Sequence, residues 1–227
     1  TGLTGPVWGR STMNAVLVPP QPKIYHIAHV DRLPSIVAAG GLLSDALVQA
    51  RALGGTMVGM NHIKQRRLTE LQLTSHPGLF VGACVPFYFC PRSVMLYLIH
   101  RRNAELTYQG GQTPIIHLQA DLGAVVAWAN AQPARWAFTL SNAGSYFFED
   151  RNDLARLGEI NWTAVQANNC SGGLKEGKQA EFLLEQRFPW HLVERIGVHS
   201  AAVYGQVVNA LPAHGHRPPV EVRPDWY

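Results

Sequence analysis

Apolar residues along this chain fall in short runs separated by glycine, proline and clusters of charge, a pattern of strands and short helices interleaved. Lys23 to Ala28 (KIYHIA) has strand character. Asp31 is placed to cap a helix from about Arg32 to Ala39, which Gly40-Gly41 ends. Ser44 to Pro77 is more polar, is broken at Gly54-Gly55, and holds a short helix over Asn61 to Leu71. It reads as a mobile flap over a site. Val81 to Phe89 is a second apolar strand, and Val94 to His100 is apolar enough to be buried. Pro114 to Leu118 is a third strand, followed by a helix over Ala120 to Ala129. Trp136 to Thr139 leads into the turn-forming Ser141-Asn142-Ala143-Gly144. Asp153 to Ile160 and Thr163 to Ala167 read as helical, and a long loop, Asn168 to Lys178, follows. Glu181 to Leu184 and Arg195 to His199 are the last strands, before a helix near Ala201 to Leu211 and a proline-rich tail. The class is α+β, without a repeat.

Composition narrows this picture. The 227 residues are 47% hydrophobic and 15% charged, a globular balance suited to one domain over residues 23–227. Residues 1–22 are expected to be a leader, partly disordered or introduced by cloning. The net charge of +4 suits a polyanionic partner without selecting one. Three cysteines, Cys84, Cys90 and Cys170, lack CxxC spacing, so no disulfide framework, zinc site or other metal is expected. No apolar run approaches the ~20 residues that span a bilayer, and a cytoplasmic monomer without membrane attachment is the expectation.

Candidate chemistry lies in three separated segments. Glu181 opens a late apolar strand, His26 sits in the first strand, and Phe87-Tyr88 lie in the second. Together they suggest a split NAD-cleaving site. Breaking the bond to a cationic nicotinamide develops positive charge on the ribose, which a fixed carboxylate stabilises while accepting a proton from the nucleophile. The plainer reading of Glu181 is an edge-strand carboxylate in a surface ion pair with Lys178. His26 is either a hydrogen-bonded core histidine or a donor to a ribose hydroxyl. Strand alternation puts one of Phe87 and Tyr88 in the core and the other in the cleft. Lys64, Arg66 and Arg67 form either a solvated helix face or a cationic edge to the site, and Arg92 has the same two readings.

The chain resembles the DarT family, toxins of DarT–DarG toxin–antitoxin pairs that ADP-ribosylate DNA bases. The resemblance rests on Tyr25-His26-Ile27 with Asp31-Arg32-Leu33, on His62 to Arg67, on Val85 to Tyr97 (VPFYFCPRSVMLY) and on Tyr108 to Gln112. Lys178 to Leu183, Phe188-Pro189-Trp190 and Arg223 to Tyr227 complete it. It implies a fold like that of ADP-ribosyltransferases and poly(ADP-ribose) polymerases: two small packed β-sheets, surrounding helices and an NAD cleft between the sheets. It also implies Glu181 and Arg67 as catalytic residues, and His26, Ile27, Gly41, Leu43, Arg67, Tyr88 and Met95 as contacts to the co-substrate NAD. Single-stranded DNA would meet Arg66, Arg92 and, in a recognition loop running from about Leu140 to Lys178, Ser141 and Asn142. Thymine is the favoured base and guanine the second, and the partner is a DarG-like macrodomain antitoxin. Thr139-Leu140-Ser141-Asn142 lacks an acid that many relatives carry, which bears on the choice of base. The alternatives are ADP-ribosyl transfer to protein or RNA, and a non-catalytic DNA-binding module.

Overall fold

The computed structural model describes residues 17–227, so the expected leader lies, as far as Val16, outside the described residues. The first strand, β1 (Lys23–His29), leads through one 3-10 turn into helix α1 (Leu33–Ala38). Asp31 does not cap that helix, as the sequence suggested. It lies inside the 3-10 turn, and its carboxylate accepts from the Thr56 hydroxyl at 2.6 Å and the Thr56 N–H at 3.3 Å, tying down the glycine-rich segment. Strand β2 (Gly41–Leu43) and helix α2 (Asp45–Ala50), capped by the Ser44 hydroxyl, come next, followed by α3 (Asn61–Thr69). The second apolar run is a 3-10 turn and then β3 (Cys84–Tyr88), and the Ser93 hydroxyl caps helix α4 (Val94–His100).

Strand β4 (Ile115–Asp121) runs straight into α5 (Leu122–Ala131), because Asp121 accepts from the Ala124 N–H and starts the helix there. Strand β5 (Trp136–Asn142) carries on through Ser141 and Asn142, the first two residues expected to turn; the chain turns at Ala143-Gly144, and β6 (Asp150–Arg151) pairs back onto β5. After α6 (Trp162–Gln166) and α7 (Leu174–Gly177) comes β7 (Ala180–Glu185), then β8 (Arg187–Pro189) and β9 (Arg195–Val198). Helix α8 (Ala201–Ala210) and β10 (Val220–Val222) close the chain.

Eight strands join in the order β10-β9-β4-β1-β3-β7-β5-β6, and β2 and β8 form a separate two-stranded ribbon. The large sheet is nearly two sheets. β1 pairs with β4 over all seven of its residues and β3 with β7 over all five, yet β1 and β3 meet only at Tyr25 and Tyr88. Pro86 brings no N–H to that seam, and its carbonyl accepts at 2.8 Å from the His26 ring instead. The two expected sheets are thus the two halves of one sheet, splayed along β1 and β3. Apolar side chains of both halves, among them Ile24 and Leu118 from one and Phe87, Phe138 and Phe182 from the other, fill the principal core with Phe188 of the β2–β8 ribbon.

Candidate active site

The splay opens a cleft lined by β1, α1, β2, α2, the segment after α2, α3 and the end of β3. It brings together every residue expected to contact NAD: His26, Ile27, Gly41, Leu43, Arg67, Tyr88 and Met95 all line it. Gly41 stands where no side chain fits. A Cβ there would lie 1.9 Å from the Phe188 carbonyl oxygen, so the β2–β8 ribbon that walls the cleft requires this glycine. Phe87 is wholly buried against Phe182 and Phe188, and Tyr88 is the one that faces the cleft.

Glu181 lies just behind that lining, opposite Tyr88 in the β3–β7 register. Strand β7 is interior to the sheet, not at its edge, and Glu181 is 3% exposed. Its partner is not Lys178, whose buried amine donates to the carbonyls of Val165 and Ala167. Both carboxylate oxygens accept from Arg67, at 3.3 and 2.9 Å, the parallel geometry that a guanidinium fork favours. Burial works against the Arg67 charge, and Glu181 more than offsets it, holding the guanidinium above its ordinary range. Burial, with the Glu181 charge behind it, pushes the Tyr88 phenol well above the usual tyrosine range, so its O–H stays protonated.

The backbone around Glu181 is re-aimed by a bulge. The β5–β7 register shifts between Phe138 and Asn142, so Glu181 faces an irregular stretch of β5. The buried Thr139 hydroxyl fills the gap, accepting from the Glu181 N–H at 3.0 Å and donating to the Ser141 carbonyl at 2.7 Å. Thr139 was read from sequence only as part of a strand. Nothing in its local pattern marks it, because its role exists only once β5 lies beside β7.

His26 is half-buried in the wall of the cleft, and desolvation lowers its pKa to about 4. A neutral ring bonded to a carbonyl must donate through Nδ1, so its proton is committed to Pro86. This corrects the expectation that His26 donates to a ribose hydroxyl: the nitrogen left over, Nε2, is an acceptor. Three cations, Arg32, Lys64 and Arg67, also line the cleft, and Lys64 is paired with Asp45 at 2.9 Å.

The expected DNA contacts are spread around this centre. Arg66 supports the turn after β5: it donates to the Gly144 carbonyl and lies 4.7 Å from the centre of the Tyr146 ring. Asn142 accepts from the Gly144 N–H at 2.8 Å, and Ser141 is half-buried beside it. Arg92 is exposed, before α4. The turn presents two exposed aromatic rings that sequence reading passed over, Tyr146 and Phe147, the latter 90% exposed. The run Tyr146-Phe147-Phe148 within a polar turn was the signal available for them. Among the described residues, no three His, Cys, Asp or Glu side chains are placed to hold a metal, and no helix is long and apolar enough to cross a membrane.

Comparison with known proteins places this geometry. Residues 25–227 match the family model described as DarT, ssDNA thymidine ADP-ribosyltransferase. A DNA ADP-ribosyl transferase of Thermus sp. strain 2.9 is 38% identical over 218 residues, covering 92% of this chain and 97% of that protein. The structure of Thermus sp. 2.9 DarT in complex with ADP-ribosylated ssDNA superposes with a TM-score of 0.82 at 35% identity, over 92% of this chain and 97% of that one. The same protein in complex with NAD+ gives 0.79 at 32% identity, over 93% and 100%.

Proposed function

The chain belongs to the DarT family, whose chemistry is NAD-dependent ADP-ribosylation of single-stranded DNA, and from that premise we propose how its cleft performs the transfer and on which base. The observation that carries the reading is the buried Arg67–Glu181 pair at a cleft that a neutral His26 also lines. NAD lies with its nicotinamide ring against Tyr88 and its nicotinamide ribose between Glu181 and His26, where Nε2 accepts from a ribose hydroxyl. Ile27, Gly41, Leu43 and Met95 enclose the rest of the molecule, and Arg32 meets the diphosphate.

The acceptor is thymine in single-stranded DNA, a choice supported by the family description. An unpaired base avoids most of the cost of extraction from a duplex. Its ring nitrogen attacks the ribose C1′ as the bond from C1′ to nicotinamide breaks, and that bond's electron pair goes to the nicotinamide nitrogen and cancels its positive charge. The ring proton passes to Glu181. Because both Glu181 oxygens are engaged by Arg67, the guanidinium releases one of them as the base arrives and turns toward the anion forming on the pyrimidine. Arg92, Ser141 and Asn142 contact the strand, Arg66 acts through the turn it supports, and Tyr146 and Phe147 offer stacking faces at the rim.

Residues 23–227 form the catalytic unit, a monomeric cytoplasmic toxin held in check by a DarG-like macrodomain antitoxin. Incubation with NAD and a panel of single-stranded oligonucleotides, followed by mass spectrometry of the nucleosides, tests this. ADP-ribosyl-thymidine with equimolar nicotinamide is expected. Modified guanosine from thymine-free strands overturns the choice of base, and label on protein or RNA overturns DNA as the acceptor. DNA binding without nicotinamide release would leave only a binding module.

A further inference from the structure

Helix α4 presents Met95 to the NAD cleft and, on another face, opens onto a separate groove. Arg92, Tyr97 and His100 form one wall of that groove. The other wall is the loop from Asn168 to Ser171, which leads on to the strand bearing Glu181. At His100 and Gln112 the groove runs into a second depression flanked by Arg101 and Arg102, the Gly110-Gly111 backbone and His199. The chain has 15 Asp and Glu residues, and none lines either depression. Arg92, Arg101 and Arg102 are exposed and make no ion pair among the described residues. The Tyr97 ring, half exposed, stacks on His100 with centroids 6.5 Å apart and planes inclined at 28°. The buried Nδ1 of His199 has no partner.

A trough free of Asp and Glu side chains, with unpaired arginines along its length and a flat aromatic platform in its wall, fits a flexible polyanion that carries stackable rings. We propose that this groove binds the single-stranded DNA substrate beyond the base being modified, with phosphates on Arg92, Arg101 and Arg102 and one base stacked on Tyr97. The proposal rests on single-stranded DNA being the acceptor. The seven residues of α4 that lie between Arg92 and Arg101 span about 10 Å at the helical rise, room for about three phosphates of a stacked strand. Helix α4, which lines both this groove and the NAD cleft, makes the two sites neighbours, so one strand reaches both.

The test compares a long single-stranded oligonucleotide with a short one that barely extends past its target thymine. For Arg101→Gln/Arg102→Gln, the slope of log affinity for the long strand against log salt should flatten by about 1.4, the contribution of two single-strand phosphate contacts. For Tyr97→Ala, KM for the long strand should rise about tenfold with kcat retained, so that the advantage of the long strand over the short one disappears. In the unsubstituted protein, the long strand should slow alkylation of Cys170, a free, partly exposed thiol in the groove. Unchanged salt slope, KM and alkylation, in a protein that still modifies both oligonucleotides, overturn the groove and leave the acceptor reading intact. A protein that modifies neither strand but labels RNA or protein overturns both.

Discussion

At the scale of residues, the site depends on one buried ion pair doing two jobs. The Glu181 and Arg67 side chains are 4% and 13% exposed, so neither has water to turn to if the other is removed. Leaving one charge of such a pair buried and alone costs about 3–5 kcal/mol. Glu181→Ala therefore loses stability as well as the base, whereas Glu181→Gln keeps an acceptor for the guanidinium and nearly the same volume. Both variants should lose transfer by at least ~10²-fold, the lower end of what a positioned general base contributes. Calorimetry should still detect NAD binding in both, and thermal melting should show the larger loss in the alanine variant. If Glu181→Gln transfers at the full rate, Glu181 is not the base.

Among the elements, α3 positions Arg67, the proposed catalytic arginine, and a glycine outside the helix permits it. A Cβ on Gly82 would lie 2.8 Å from the Leu68 backbone nitrogen and 2.9 Å from the Arg67 carbonyl carbon, both too close to relieve by rotating a side chain. Gly82→Ala should push α3 outward and lower kcat at least tenfold in a protein that still folds, as circular dichroism would report. Gly54→Ala, where nothing lies within 4 Å, is the control. Wild-type turnover by Gly82→Ala would separate α3 placement from catalysis. Sequence pattern foretold β1, β4, β7 and α8, because long apolar runs carry their own periodicity. It missed β2, β8 and β10, of three residues each, which are too short to alternate and exist because a neighbouring edge offers them partners. The same distinction holds in the site. That His26, Glu181 and the Phe87-Tyr88 pair stand in strands was legible from the sequence; which aromatic ring faces the cleft, and that Glu181 lies inside the sheet, was not. The inward turn of Arg67, the support Arg66 gives its loop and the Thr139 bridge depend on contacts between segments far apart in the chain.

For the molecule as a whole, the half of the sheet that carries the cofactor-facing histidine should weaken in mild acid. His117 on β4 is fully buried in that half and His26 on β1 is half-buried, and desolvation lowers both to about 4. Each ring spends one nitrogen on a carbonyl, of Pro86 or Pro91, and the His117 Nδ1 has no partner that would favour a second proton. In the unfolded chain both titrate near the ordinary 6.5. Above that value neither state binds a proton and the two rings contribute no pH dependence. As pH falls below it the unfolded chain gains protons that the folded one refuses, so stability decreases, and the loss levels off near pH 4, where the folded rings titrate. The carboxylates with depressed values, Asp31, Asp121, Asp150, Glu159, Glu185 and Asp225, act in the same direction but only near and below their ordinary range, leaving pH 6.5 to about 5 to the histidines. Urea unfolding across that window should show stability falling by about 1.4 kcal/mol per pH unit for each histidine. His117→Phe should halve the slope attributable to the pair while leaving the rest of the profile in place. A flat profile in the wild-type protein between pH 6.5 and 5 would mean that these rings accept protons in the folded state, and with that the assignment of the His26 Nε2 as an acceptor for the ribose would fall.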